Sequence, residues 1–133
     1  MFITKESDYA VRMIRALSKK EIGTVKMLSD EELVPHQYSY KILKKLEKAG
    51  LVHAYRGTNG GYALARPVSE MTLFDVLAAV EDRLLVTECL GHGFACSRNP
   101  QKTDCSVHRE FAEIQDALLA MLRAKSLAEI FAR

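Results

Sequence analysis

Apolar positions recur along this chain at two different periods. Over residues 4–19, Ala10, Val11, Met13, Ile14 and Leu17 return every three or four places, the spacing of one helical face. Thr4 stands where an N-cap is needed, and Gly23 breaks the pattern. Val25, Met27 and Leu28 predict a short second helix over 24–32. Pro35 suits a first helical turn and Gly50 the position just past a helix end, which predicts a third helix over 35–49. The helical period then stops. Residues 51–55 and 62–65 read as two short strands around Arg-Gly-Thr-Asn-Gly-Gly, where Asn-Gly tolerates the positive φ of a tight hairpin. Pro67 ends this unit. Helical spacing resumes over 71–82, with Leu73, Val76, Leu77 and Val80 inward, and again over 106–125. Ser126 is placed to cap a last short turn.

This pattern predicts a mainly α fold with a small β-hairpin. Three short helices followed by a hairpin with a basic tip form a winged helix-turn-helix, whose second turn helix enters the DNA major groove. The last long helix carries Val107, Phe111, Ile114, Leu118 and Met121 at steps of four, three, four and three. That is an a/d seam, which suits a partner helix better than the chain's own core. Two units are therefore expected: a DNA-binding domain over 1–67, and a helix, loop and dimerisation helix over 68–133.

The third helix carries the charge that matters. Lys41, Lys44, Lys45 and Lys48 gather opposite Ile42, Leu43, Leu46 and Ala49, with Glu47 alone nearby to relieve their repulsion. A solvated face is the plain reading of such a run. The basic hairpin that follows favours DNA instead: an Arg and exposed backbone N–H groups at its tip can meet phosphate or the minor groove.

Composition narrows the class. The chain has 133 residues, 48% of them hydrophobic, which excludes a disordered chain and fits one domain with or without an oligomerisation element. The net charge of +2 does not by itself require a polyanion partner, so the placement of charge decides. No apolar run approaches the ~18 residues of a membrane span. The charged, amphipathic N-terminus lacks the apolar core of a secretory signal, so a cytoplasmic location is expected.

All three cysteines lie in one Gly- and Asn-containing stretch, CLGHGFACSRNPQKTDCSVH. An odd count argues against a closed disulfide framework. The spacing is Cys89-x6-Cys96-x8-Cys105-x2-His108. Three thiolates and one further ligand can hold an iron–sulfur cluster, and Gly91, Gly93 and Pro100 let the segment bend round one. Cys105 and His108 fall at the start of the last helix, where exposed N–H groups favour a thiolate. Other uses stay open. A zinc site accepts these ligands but prefers closer cysteines. A metal-free thiol switch is a second use, and cysteines without a ligand are a third. Catalysis finds no support, because nothing orients a Cys–His pair and no phosphate loop or paired carboxylates stand out. A winged helix that binds protein rather than DNA is the remaining alternative.

The stretches TKESDYAVRMIRAL, YSYKILKKLEKAGLV and RGTNGGYALAR, with the cysteine segment before the last long helix, resemble the Rrf-type bacterial transcription regulators over essentially the whole chain. That group includes iron–sulfur regulators, nitric-oxide sensors and iron regulators. The resemblance implies a homodimer whose two recognition helices read a pseudo-palindromic DNA duplex. It places Gln37, Tyr38, Tyr40 and Lys41 early in the recognition helix near base edges, and Arg56, Gly60 and Gly61 on the wing. Lys44, Lys45 and Lys48 become phosphate partners or remain solvated. It also implies a [2Fe–2S] or [4Fe–4S] cluster on Cys89, Cys96 and Cys105, in a regulator expected to repress. The fourth ligand has two main candidates. His108 resembles the histidine that completes the site in iron–sulfur regulators. Asp8 resembles the aspartate that reaches across the dimer in nitric-oxide sensors. His92 is a third candidate. Asp8 has an ordinary alternative as the i,i+4 partner of Arg12, and His108 as a helix-start residue.

Overall fold

The computed structural model describes residues 3–101 and 103–133. Met1 and Phe2 of the amphipathic start and Lys102 of the cysteine segment lie outside the described residues. Helix α1 (Lys5–Leu17) begins where Thr4 Oγ1 accepts from the Ser7 amide at 3.3 Å, and α2 (Val25–Glu32) where Thr24 Oγ1 accepts from the Met27 amide at 3.2 Å. Each cap satisfies an amide that has no partner within the helix. Leu33 closes α2 in the left-handed region, at φ 54° and ψ 43°. Pro35 then opens α3 (His36–Lys48), and Gly50 at φ 78° turns the chain away from it.

Strands β1 (Val52–Tyr55) and β2 (Gly61–Leu64) pair antiparallel, with Val52 opposite Leu64 and Tyr55 opposite Gly61. The outer edge of β2 is also paired. Gly23 and Tyr62 exchange both backbone hydrogen bonds at 2.8 Å, which anchors the hairpin to the α1–α2 connection.

The fourth helix, α4 (Leu73–Val80), is shorter than the expected 71–82. Thr72 and Asp75 form a reciprocal capping box that sets its start, and Glu81 in extended conformation ends it. Met71 belongs instead to the core, and its carbonyl accepts from the Leu127 amide at 2.7 Å. Helix α5 (Ser106–Arg123) is followed by α6 (Leu127–Phe131), which Ser126 caps as expected.

One core joins these elements. It contains Met13, Ile14 and Leu17 of α1, Leu28 of α2, Ile42, Leu43 and Leu46 of α3, and Val52 of β1. Met71, Val76, Val80 and Leu127 are part of the same cluster, so residues on both sides of position 67 share one interior.

Candidate nucleic-acid interface and thiol segment

Buried Ser39, Ile42, Leu43 and Leu46 define the inward side of α3. At about 100° per residue, Gln37, Lys41, Lys44 and Lys48 fall opposite them within about 60°, and all four are exposed. The polar face expected there is present, with one change of membership. Lys45 lies on the flank, half-buried, with Nζ 3.0 Å from Glu6 Oε1 and donating to the Val80 carbonyl at 3.0 Å. Its charge is satisfied inside the fold. Lys41 also approaches Glu6, at 3.8 Å, but stays solvent-exposed.

The two recognition-helix tyrosines part company. The Tyr38 ring packs against Tyr9 of α1 with centroids 5.6 Å apart. Tyr40 is 60% exposed and turns the other way, toward the hairpin. There Tyr40, Lys44 and Arg56 line an open concavity of about 580 Å³ together with Lys26, Tyr55, the glycine pair and one carboxylate, Glu47, so cations outnumber anions. A basic recess of this kind, between a recognition helix and a wing, suits a sugar–phosphate backbone.

Gly60 and Gly61 hold the wing's shape. A Cβ on Gly60 would lie 2.4 Å from the Tyr55 carbonyl oxygen, and one on Gly61 would lie 2.6 Å from that of Gly23. Lys26 and Tyr55 escaped the sequence reading. Lys26 is a single lysine on a different helix, bonded to Asp30 at 2.6 Å, which raises its own pKa and lowers that of Asp30. Only the tertiary arrangement brings it to this recess.

The thiols occupy the connection from α4 to α5. Cys89 sits in a single 3-10 turn (Glu88–Leu90), Cys96 in the loop, and Cys105 at the N-cap of α5 without a side-chain capping bond. All three are half-buried and free. The connection is tethered at two points. Gln115 Oε1 of α5 accepts from the Val86 amide at 2.9 Å, and the Asn99 amide group clips Thr103 through three hydrogen bonds. Among the described residues, no three His, Cys, Asp or Glu side chains are gathered closely enough to hold a metal ion. Asp8 is instead ion-paired with Arg12 at 2.8 Å. His108 is half-buried in the first turn of α5, and His92 is exposed. The donor chemistry suits an iron–sulfur group, but this arrangement of the donors does not form its site.

The remaining feature is α5 itself. Leu122 is buried. Val107, Phe111, Ile114 and Met121 of the a/d seam are exposed, and Leu118 is half-buried.

Residues 3–133 match the family described as Rrf2, iron-dependent transcriptional regulator. The chain belongs to the Rrf2 family. Protein aau3 of Rhizobium meliloti is 32% identical over 98% of this chain and 84% of its own. The HTH-type transcriptional regulator IscR of Escherichia coli is 29% identical over 98% and 80%. Two solved structures share the fold. One is IscR of T. potens, at TM-score 0.77 and 22% identity over 98% of this chain and 85% of that one. The other is CymR, the global cysteine regulator of B. subtilis, at TM-score 0.79 and 21% identity over 98% and 95%. Rrf2 membership makes the chain a DNA-binding transcriptional regulator rather than an enzyme. No helix among its described residues is long and apolar enough to cross a membrane.

Proposed function

We propose that this Rrf2 regulator acts in the cytoplasm as a homodimeric repressor, and that it binds a pseudo-palindromic duplex with α3 in the major groove and the β1–β2 hairpin on the backbone. The observation that carries this reading is the exposed row Gln37, Lys41, Lys44 and Lys48, flanked by the recess that Tyr40, Lys44 and Arg56 share. Gln37 and Tyr40 are the base-reading candidates, while Lys44, Lys48 and Arg56 neutralise phosphates. The exposed α5 seam supplies the dimer contact, which sets the distance between recognition helices.

The segment carrying Cys89, Cys96 and Cys105 controls binding in response to iron, redox or nitric-oxide status, with an iron–sulfur cluster as the group its thiolates take. Support comes from the confinement of all three cysteines to one connection and from the iron-dependent character of the family. The residues that would hold the cluster are Cys89, Cys96 and Cys105 with His108 or Asp8, and among the described residues they are not gathered. Three free, half-exposed thiols in one connection also support a second reading, a thiol switch in which the same cysteines are oxidised without metal.

The test combines a duplex selected from a random pool with analysis of the protein's iron and sulfide. Arg56→Ala is expected to weaken DNA binding several-fold and to make its salt dependence shallower by about one unit. Unchanged affinity and slope would remove the wing from the reading. Anaerobic reconstitution is expected to give coloured protein whose iron is lost in Cys96→Ala. Colourless, iron-free protein leaves the thiol switch.

A further inference from the structure

One side chain ties the recognition helix to the entrance of the thiol segment. Lys45 of α3 reaches Glu6 in the first turn of α1 and the carbonyl of Val80, the last residue of α4. The last carbonyls of a helix have no intrahelical partners and carry partial negative charge, so an ammonium group there satisfies both. Glu6 Oε1 is buried and has no aligned hydrogen bond among the described residues, so its charge rests on ion pairs, the shorter with Lys45 at 3.0 Å and the longer with exposed Lys41 at 3.8 Å.

The next residue in the chain is held from the same turn of α1. The Glu81 carboxylate accepts from Ser7 Oγ at 2.6 Å and from Thr4 Oγ1. Ser7 is fully buried, so this contact is partly shielded from water. One turn of α1 therefore holds Lys45 through Glu6 and Glu81 through Thr4 and Ser7. The chain that leaves Glu81 runs directly into the thiol-bearing connection. A shift in that connection pulls on the end of α4, and the end of α4 is bonded to the recognition helix.

We propose that Lys45 is a positioning residue for DNA binding: it seats α3 against the end of α4 and carries changes in the thiol segment to the recognition helix. The proposal rests on the reading of residues 82–105 as the sensing segment. It also removes Lys45 from the phosphate contacts, because a phosphate-bound ammonium would have to leave both Glu6 and Val80.

The experiment measures affinity for a selected duplex across a salt series, with the cysteines reduced or alkylated by N-ethylmaleimide. Wild type, Lys45→Met, Lys45→Arg and the double variant Glu6→Gln/Lys45→Met are compared. The double variant removes the unpaired buried charge and keeps the test valid if Lys45→Met folds poorly. Alkylation is expected to change wild-type affinity about fivefold or more. In Lys45→Met and the double variant the two states should agree within about twofold, with the wild-type salt slope retained. Lys45→Arg, which keeps a donor for both partners, should restore the response. A salt slope shallower by about one unit in Lys45→Met is the signature of a lost phosphate contact and overturns the proposal. A full response in both Met variants, beside a responsive wild type, removes the relay alone. A wild type indifferent to alkylation refutes the sensing segment and the relay with it.

Discussion

Arg15 of α1 and Glu32 of α2 form a two-pronged ion pair, with Nε 2.9 Å from Oε1 and Nη2 2.6 Å from Oε2. The Glu32 side chain is buried while that of Arg15 is half exposed. The fork clamps the last turn of α2, just before the chain turns into the recognition helix. It raises the Arg15 pKa, chiefly through the hydrogen bond to Glu32. Glu32→Ala is expected to cost about 1–2 kcal/mol, below the ~3–5 kcal/mol of a fully buried pair because Arg15 can return to water. Urea unfolding at neutral pH measures it, and an unshifted midpoint would show that the fork contributes nothing.

Leu33 at φ 54° is the one non-glycine residue with positive φ among those described, and its side chain is 83% exposed. Little packing opposes the backbone strain at this corner. Leu33→Gly should therefore raise stability by about 0.5–1 kcal/mol, the relief of strain exceeding the added freedom of the unfolded chain. A fall in melting temperature would show that the Leu33 side chain contributes more than its left-handed backbone costs.

Two glycines of the wing separate strain from collision. Gly61 combines φ 153° with a neighbouring backbone oxygen 2.6 Å from where a Cβ would sit. Gly57 has φ 105° and nothing within 4 Å. Gly61→Ala should break the bridge to Gly23 and cost about 2 kcal/mol or more, against about 1 kcal/mol for Gly57→Ala. Equal losses in thermal unfolding would refute the role assigned to the Gly23–Tyr62 bridge.

The exposed seam of α5 calls for a hydrodynamic test. Ile114 is 41% exposed at the middle of the seam. For the proposed homodimer, Ile114→Glu is expected to shift the sedimenting species from dimer to monomer in analytical ultracentrifugation, with helical circular dichroism unchanged. A variant that stays dimeric places the subunit contact elsewhere.

Tyr62 links the wing to alkaline stability. Burial raises its pKa above the ordinary 10.0, helped by the negative charge of Glu47 and by Tyr40. The folded state holds the phenolic proton more tightly than the unfolded chain does. The resulting stability is present below pH 10 and is lost as pH rises through the folded value. Tyr62→Phe should flatten the decline in stability above about pH 10 relative to wild type. Parallel curves would show that Tyr62 ionises freely.

Much of this protein was legible as local pattern. Thr4 and Ser126 announced their caps, Gly50 its helix end, and Val107, Phe111, Ile114 and Met121 an apolar row along α5, because each depends on neighbours within a turn or two. The hairpin was legible for the same reason. Its strands came out slightly different in extent, and Met71 left α4 for the core, because those ends answer to partners far along the chain.

The lysine face shows where local pattern stops. Helical period placed Lys41, Lys44, Lys45 and Lys48 on one side of α3. Which of them meets solvent was decided by Glu6 and Val80, remote in sequence and packed against one flank of the helix. Likewise, spacing grouped three cysteines as donors, while the turn at Cys89, the Asn99–Thr103 clip and the Gln115 tether decided where they sit. Period and capping are properties of a few consecutive residues and follow from the chain's own order. Charge pairing and ligand assembly depend on distances across the fold, which exist only once the core has formed.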